Sequence, residues 1–272
     1  MSLQDAEPAE PQPAGAGQGG GRPGTAVGAA PAPGAMERAF VDLHCHTSAS
    51  FDSLASPRAV VAAAAARGLT HLAITDHERI DGALEARAIV PPGLTVIVGE
   101  EIRTLAGDLV GLFLERPVPP GLSAAETIAE IRGQGGLVGI PHPFDRFRGS
   151  LLRDAAMASL APDVDWVETW NARLVGGGNR RASEMALEAG APGVAVSDAH
   201  TTVEIGIAYT IVRGPIRTAD ELLAALPSAE LITGRASYAV RLVTPVAKLV
   251  QRARGRGRIG GLPAQAKAGT SR

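Results

Sequence analysis

The chain has 272 residues, 45% of them hydrophobic, and a formal net charge of −2, which neither favours nor excludes a nucleic-acid partner. No apolar stretch reaches the roughly 18 residues of a membrane-spanning helix, which excludes an integral membrane protein of that kind. Cys45 is the only cysteine, so an intrachain disulfide is excluded, and we expect a cytoplasmic protein.

The two ends of the chain differ in composition from its centre. Residues 1–37 are rich in Ala, Gly, Pro, Gln and Glu, and they cannot bury enough apolar surface to offset their ordering entropy. We expect a disordered tail there, without the features of a secretory signal. Residues 251–272 are rich in Arg and Gly, and a solvated basic flexible tail is favoured over a contact with phosphate backbones. Residues 38–250 are then one domain, which we expect to keep its activity without the tails.

Seven apolar runs of strand length follow one another in this domain. Several are apolar throughout rather than alternating, which is typical of parallel strands covered on both faces. The runs span residues 40–46, 71–76, 95–102, 109–114, 137–141, 164–170 and 193–197.

Helices are predicted between these runs, over residues 58–67, 123–132 and 179–188. Ser56 is a typical N-cap, and Pro57 suits the first helical position. Ser123 and Glu126 have the spacing of a capping box. Alternating strands and helices predict a parallel α/β fold, and seven strands indicate a closed or nearly closed barrel. The third and fourth runs are too close together for a helix, which predicts a hairpin.

Polar residues collect where the apolar runs end, and this is where α/β barrels have their active sites. A strand places His44 and His46 on one face, where their imidazoles can bind a divalent metal ion. A single histidine at a strand end is more often an ordinary polar residue, but the other ends also carry candidate groups. These are Asp76, His77, Glu100, Glu101, His142, Glu168, Asp198 and His200. His71 begins its strand at the opposite end, so we assign it no role.

Five motifs in order and spacing carry a resemblance to a known family. They are His44-x-His46-Thr47, Ile74-Thr75-Asp76-His77, Gly99-Glu100-Glu101-Ile102, Pro141-His142-Pro143 and Ser197-Asp198-Ala199-His200. From about residue 41 to about residue 206, the chain resembles the PHP (polymerase and histidinol phosphatase) domain family. The resemblance implies a distorted seven-stranded (β/α) barrel. It also implies up to three divalent metal ions, Mn, Fe or Zn, for phosphoester hydrolysis.

The resemblance also implies roles for individual residues. The metal ligands would be His44, His46, Asp52, His77, Glu101, Asp108, His142, Asp198 and His200. Glu101 would bridge two metal ions, and strand alternation turns Glu100 towards the surface or towards a contact outside the ligand set. Asp52 and Asp108 stand where many family members have histidines. These carboxylates shift the preference from Zn²⁺ towards Mn²⁺ or Fe²⁺.

The expected reaction follows from charge. A phosphoester is anionic, and metal ions would neutralise its oxygens and supply a metal-bound hydroxide as the attacking group. Asp76 or Asp198 would act catalytically by steering the proton of that water. Arginines near strand ends would grip the phosphate oxygens. The candidates for substrate contact are Arg146, Arg148, Asn171 and Arg173.

The predicted partner is a small-molecule phosphoester, either a phosphorylated metabolite or a short nucleotide or oligonucleotide. No membrane and no obligate protein partner is indicated. Two alternatives stay open. The first is a C–N hydrolase, because amidohydrolase barrels hold similar metal rings, although neither Lys248 nor Lys267 lies at a strand end to bridge two metals. The second is a non-catalytic regulator that binds metal or nucleotide.

Overall fold

The computed structural model describes residues 38–145 and 160–259. Within these residues, one sheet contains nine strands. They are β1 (Arg38–Asp42), β2 (His71–Ile74), β3 (Thr95–Arg103), β4 (Asp108–Leu112), β5 (Leu137–Ile140), β6 (Trp166–Asn171), β7 (Gly193–Val196), β8 (Tyr209–Arg213) and β9 (Glu230–Ile232). Their order in the sheet is β7-β6-β5-β4-β3-β2-β1-β8-β9.

The helices that cover the sheet include each of the predicted ones. They are α1 (Pro57–Ala66), α2 (Asp81–Ala88), α3 (Ala124–Arg132), α4 (Gly178–Ala189), α5 (Ala219–Ala225), α6 (Tyr238–Arg241) and α7 (Val243–Ala253). The side chain of Ser56 caps α1 by accepting a hydrogen bond from the backbone N–H of Ala59 at 3.3 Å. Ser123 and Glu126 form the predicted capping box of α3. These caps satisfy backbone donors that a helix start leaves open.

The strand pairings confirm the predicted α/β barrel. β1, β2 and β3 are parallel to one another, as are β5, β6 and β7. β4 is antiparallel to both β3 and β5, which confirms the predicted hairpin. The predicted count of seven strands was too low by β8 and β9, which extend the sheet beyond β1 in antiparallel pairings.

The barrel closes between the end of β1 and the residues that follow β7. The backbone N–H of His46 donates to the carbonyl of Ala199 at 2.9 Å, and Cys45 and Ala199 form a parallel bridge. We call this contact the seam. It places the first histidine motif beside Asp198 and His200, at the carboxyl ends of the parallel strands.

The core has two parts, one on each face of the sheet. Trp166 is fully buried inside the barrel with Leu43, Val194 and other apolar side chains. The ring of Trp166 fills the space beside Gly139, where a Cβ atom would lie only 2.1 Å from the ring. The outer core lies between the sheet and the helices and includes Cys45. Both faces of the sheet are therefore covered by apolar side chains, which accounts for the continuous apolar runs in the strand sequences.

The ends of the chain bear on the predicted tails. Residues 1–37 and 260–272 lie outside the described residues, so most of the predicted tails do as well. Residues 251–259 are described: α7 continues to Ala253, and Gln251 is fully buried. No described helix is long and apolar enough to cross a membrane.

Candidate metal centre

Imidazole and carboxylate groups gather at the carboxyl ends of the strands in three overlapping clusters of buried residues. In each cluster the ligand atoms all lie within 4.8 Å of one another. We name the clusters by one member each. The Asp52 cluster contains His46, Asp52, His77 and His200; the His142 cluster contains His44, Glu101 and His142; the Asp198 cluster contains His44, His46 and Asp198.

The spacing within the Asp52 cluster matches that of ligands around one cation. Oδ2 of Asp52 lies 3.2 Å from Nε2 of His77 and 3.3 Å from Nε2 of His200. A tetrahedral site with bonds near 2.1 Å separates its ligand atoms by about 3.4 Å. These atoms are therefore already at the distances that a bound metal ion would impose.

Glu101 occupies the middle of the histidines, as expected for a shared ligand. Its Oε2 atom lies 3.3 Å from Nε2 of His44, 3.4 Å from Nε2 of His46 and 3.3 Å from Nδ1 of His77. Its Oε1 atom lies 2.8 Å from Nε2 of His142. One carboxylate thus contacts residues of all three clusters, and it is a member of the His142 cluster itself.

Hydrogen bonds behind the clusters orient two of the imidazoles. Nδ1 of His44 donates to Oε1 of Glu168 at 2.5 Å, and Nδ1 of His200 donates to the carbonyl of Asp198 at 2.9 Å. With the proton on Nδ1, the lone pair of Nε2 faces the cluster. Carboxylate and carbonyl partners of this kind fix the tautomer and ring orientation of metal-binding histidines.

The carboxylates give the centre a negative potential that favours positive charge. Burial opposes a charge on His77, but Glu101 and Asp52 outweigh burial and raise the pKa of His77 to about 9. Burial likewise opposes the charge of Glu101, but His77 and His142 hold the pKa of this carboxyl well below its usual range. A divalent cation would be stabilised by the same carboxylates.

The backbone is strained where these strands end. Glu78, His142 and Asp198 have φ values of 53°, 27° and 50°. Residues other than glycine rarely adopt this left-handed region, and each such residue costs on the order of 1–3 kcal/mol. Strain of this kind persists where the surrounding structure holds a functional side chain in place.

The predicted ligand Asp108 does not join the clusters. It lies at the start of β4, and its Oδ1 atom is 3.4 Å from Nη2 of Arg258, a residue near the end of the described chain. The carboxylate of Asp108, predicted to bind a metal ion, therefore contacts the guanidinium of Arg258 instead. Asp76 also has a different environment, because its two carboxylate oxygens accept hydrogen bonds from the N–H and the hydroxyl of Thr47, both at 2.6 Å.

Glu100 and Glu101 point to opposite sides of β3, as strand alternation predicts. Of the two placements expected for Glu100, the structure has the contact outside the ligand set: Glu100 is fully buried, and its Oε2 atom accepts a hydrogen bond from the N–H of Val118 at 2.8 Å. Burial raises the pKa of Glu100 to about 8. Both faces of the sheet are covered, so turning away from the centre does not lead to solvent.

The predicted substrate contacts fall into two groups. Arg146 and Arg148 lie outside the described residues. Asn171 and Arg173 are buried and committed to protein partners. The amide of Asn171 donates to Glu168 and Asp198, at 2.8 and 3.0 Å. These bonds connect two carboxylates of the centre.

Arg173 acts on the centre through an acidic residue that the sequence analysis did not single out. Its Nη1 atom donates to Oε1 of Glu204 at 2.5 Å, and its Nη2 atom donates to the hydroxyl of Thr244 at 2.7 Å. Glu204 in turn accepts a hydrogen bond from the N–H of His200 at 3.2 Å. Arg173 is 31 residues from Glu204 and 71 from Thr244, so no local sequence pattern signals these two contacts.

Family models and known proteins match parts of this chain. The family model for the PHP domain matches residues 42–130, and the model described as PHP-associated matches residues 176–231. An uncharacterized protein of Methanocaldococcus jannaschii is 37% identical over 145 residues, which cover 48% of this chain and 81% of that protein. The chain belongs to the PHP domain family.

Two further similarities extend to proteins with a described activity or structure. A 5'-3' exoribonuclease of Haemophilus influenzae is 32% identical over 117 residues, or 38% of this chain and 42% of that enzyme. A solved structure from Bacteroides vulgatus is of a two-domain protein containing a predicted PHP-like metal-dependent phosphoesterase. It has a TM-score of 0.62 and 19% identity, and the match covers 73% of this chain and 66% of that one. At this identity the match shows a shared fold.

Proposed function

We propose that this chain is a metal-dependent phosphoesterase that hydrolyses a small phosphorylated metabolite or a short oligonucleotide. The observation that carries the proposal is the Asp52 cluster with Glu101 beside it. Oδ2 of the buried Asp52 lies 3.2 and 3.3 Å from Nε2 of His77 and His200, which is the separation expected around a shared cation. Mixed nitrogen and oxygen ligands suit Mn²⁺, Fe²⁺ and Zn²⁺.

Divalent cations, when bound, would neutralise phosphate oxygens and lower the pKa of a water molecule. The chain itself would orient the ligands and accept the proton. Asp198 is the better candidate for the proton acceptor, because its Oδ1 atom lies 3.5 Å from Nε2 of His46 while Asn171 holds its other oxygen. Asp76 is less suited, since Thr47 already engages both of its oxygens.

The substrate class is supported by family membership. Arg173, the described arginine closest in sequence to β6, forms a buried ion pair with Glu204. It could bind a phosphate only if that ion pair were broken. Phosphate oxygens would then be held mainly at the clusters. The sequence similarity to an exoribonuclease favours including short nucleic acids among the substrates to be tested.

The C–N hydrolase is the weaker alternative on the geometry. The chain has two lysines, and Lys248, the one within the described residues, lies in α7 and not at the carboxyl end of a strand. The Nζ atom of Lys248 lies over the ring of Phe51, 5.4 Å from its centre. A non-catalytic regulator would keep the metal ions and show no turnover, which the experiment below detects.

The test is hydrolysis by the purified full chain after loading with Mn²⁺, Fe²⁺ or Zn²⁺. The substrates are p-nitrophenyl phosphate, bis-p-nitrophenyl phosphate, a 5'-phosphorylated short RNA and an anilide. We expect metal bound by elemental analysis, hydrolysis of at least one phosphoester, loss of activity with chelator and recovery on adding metal back.

The control is Asp198→Asn, prepared in the same way, which should be inactive and so exclude a contaminating phosphatase. Bound metal without turnover of any phosphoester would support the regulatory alternative. Cleavage of the anilide alone would support the C–N hydrolase. Either result would contradict the proposed phosphoesterase.

A further inference from the structure

The loop that carries Asp52 depends on a distant part of the chain for its shape. Asp52 accepts a hydrogen bond from the hydroxyl of Ser50 at 2.8 Å, and it contributes its other oxygen to the Asp52 cluster. The loop has no regular secondary structure beyond its turns. A loop positions a ligand only if its own backbone groups are held in place.

Gln251, at the end of α7, supplies that hold. Its side chain is fully buried, and its Nε2 atom lies 2.9 Å from the carbonyl of Ser48, 3.1 Å from that of Ser50 and 2.7 Å from that of Ser53. The carbonyls come from both sides of Asp52. The two N–H hydrogens of this amide are shared among the three carbonyls, so one side chain contacts the loop on both sides of Asp52.

Two arginines that follow α7 make further contacts with residues beside the Asp52 cluster. Arg256 donates to the carbonyl of Ser48 at 2.8 Å. Arg258 donates from Nε to Glu78 at 2.7 Å, and its Nη2 atom lies 3.4 Å from Asp108. Glu78 directly follows His77, a member of the Asp52 cluster, so Arg258 fixes the chain beside this second ligand.

We propose that residues 251–258 form a strap that holds the Asp52 cluster in its metal-binding shape, with Gln251 and Arg258 as positioning residues. Gln251 acts on Asp52 through the loop carbonyls, and Arg258 acts on His77 through Glu78. The proposal rests on the proposed function, because it assumes that the cluster binds a divalent cation. It replaces the expectation from the sequence that residues 38–250 would keep full activity.

The strap accounts for the placement of Asp108 as well. The carboxylates of Glu78 and Asp108 share the guanidinium of Arg258, which is well shielded from solvent. In this arrangement Asp108 serves to anchor the strap. The cation near Asp108 is part of the chain, so a metal ion is not needed to balance that carboxylate.

The experiment compares three variants of the full chain with the parent. Gln251→Glu replaces a donor with a carboxylate that faces three carbonyl oxygens. Arg258→Met keeps most of the side-chain length and removes the charge. Arg254→Ala is the matched control, because Arg254 is an exposed arginine in the same segment.

The primary measurement is Mn²⁺ binding by equilibrium dialysis against a competing chelator. The absorption spectrum of the Co²⁺-loaded protein serves as a second readout. We expect Gln251→Glu and Arg258→Met to weaken one class of bound cation about 10- to 100-fold and to leave tighter sites unchanged. Arg254→Ala should bind like the parent. Arg258→Lys should recover part of the loss, since an ammonium can still pair with Glu78.

Three results would overturn the strap. The first is unchanged Mn²⁺ affinity in both folded variants. The second is an equal loss at every site, together with a lower midpoint of thermal unfolding, because this would show a general structural role. The third is the same loss in Arg254→Ala. A parent chain that binds no divalent cation would instead overturn the proposed function itself.

Discussion

Replacing Glu101 by glutamine tests the centre at its most connected residue. The carboxylate lies within 2.8–3.4 Å of four imidazole nitrogens, and glutamine substitutes an N–H₂ group for one of its oxygens. Whichever way the amide turns, its nitrogen faces a histidine, and one buried negative charge is lost. We expect kcat/KM to fall at least about 1,000-fold, which corresponds to about 4 kcal/mol at 1.4 kcal/mol for each tenfold change.

Glu100→Gln is the matched control, one residue earlier on the same strand. Burial raises the pKa of Glu100 to about 8, which favours the neutral acid at pH 7. A glutamine of the same shape can still accept the hydrogen bond from Val118. We therefore expect kcat/KM to stay within about threefold of the parent, because one neutral group replaces another.

The assay is the initial rate of phosphodiester hydrolysis at pH 7 under saturating Mn²⁺, with the metal content of each variant measured by elemental analysis. Glu101→Gln should lose bound metal as well as rate. If Glu100→Gln is the damaging change and Glu101→Gln the mild one, the assigned register of β3 is off by one residue. That outcome would refute the placement of Glu101 among the histidines.

Three further predictions follow from contacts elsewhere. His142→Asn should lower the amount of bound metal and reduce the rate of hydrolysis at least about 100-fold. His71→Asn should leave the rate unchanged, because the side chain of His71 contacts a backbone carbonyl at the opposite end of the barrel. Glu168→Gln should weaken metal affinity about 10- to 100-fold in chelator competition; an unchanged affinity would show that its bond to an imidazole is dispensable. Gly139→Ala should lower the free energy of unfolding in urea by about 1–3 kcal/mol, because its Cβ would overlap the ring of Trp166.

The parts of the fold that were predicted correctly are those with local signals. Continuous apolar runs marked the strands β1 to β7, and the caps at Ser56 and Ser123 marked the starts of α1 and α3. β8 and β9 were not predicted, because they are only five and three residues long and β9 lies at the edge of the sheet, paired with β8. The histidines of the centre were recognised because they stand at strand ends, where a barrel brings them together.

The contacts that sequence reasoning could not reach are those made between distant segments. Arg258 and Asp108 are 150 residues apart, and the sequence offered no reason to pair them. Arg173 was expected to face a substrate because it follows a strand, yet Glu204 and the distant Thr244 bind it. A strand-end position predicts that a charged side chain will be near the centre, but its partner is decided by tertiary packing.

The seam determines how early the metal centre can form during synthesis of the chain. Ser197 and His44, which meet there through a hydrogen bond, are 153 residues apart. At roughly 5–20 residues added per second, the ribosome needs about 8 to 30 s between them. Throughout that interval the nascent chain contains His44 and His46, the histidine pair that follows β1, without Asp198 or His200. Because pairings over such separations form slowly, we expect metal uptake to come late, after synthesis has passed β7.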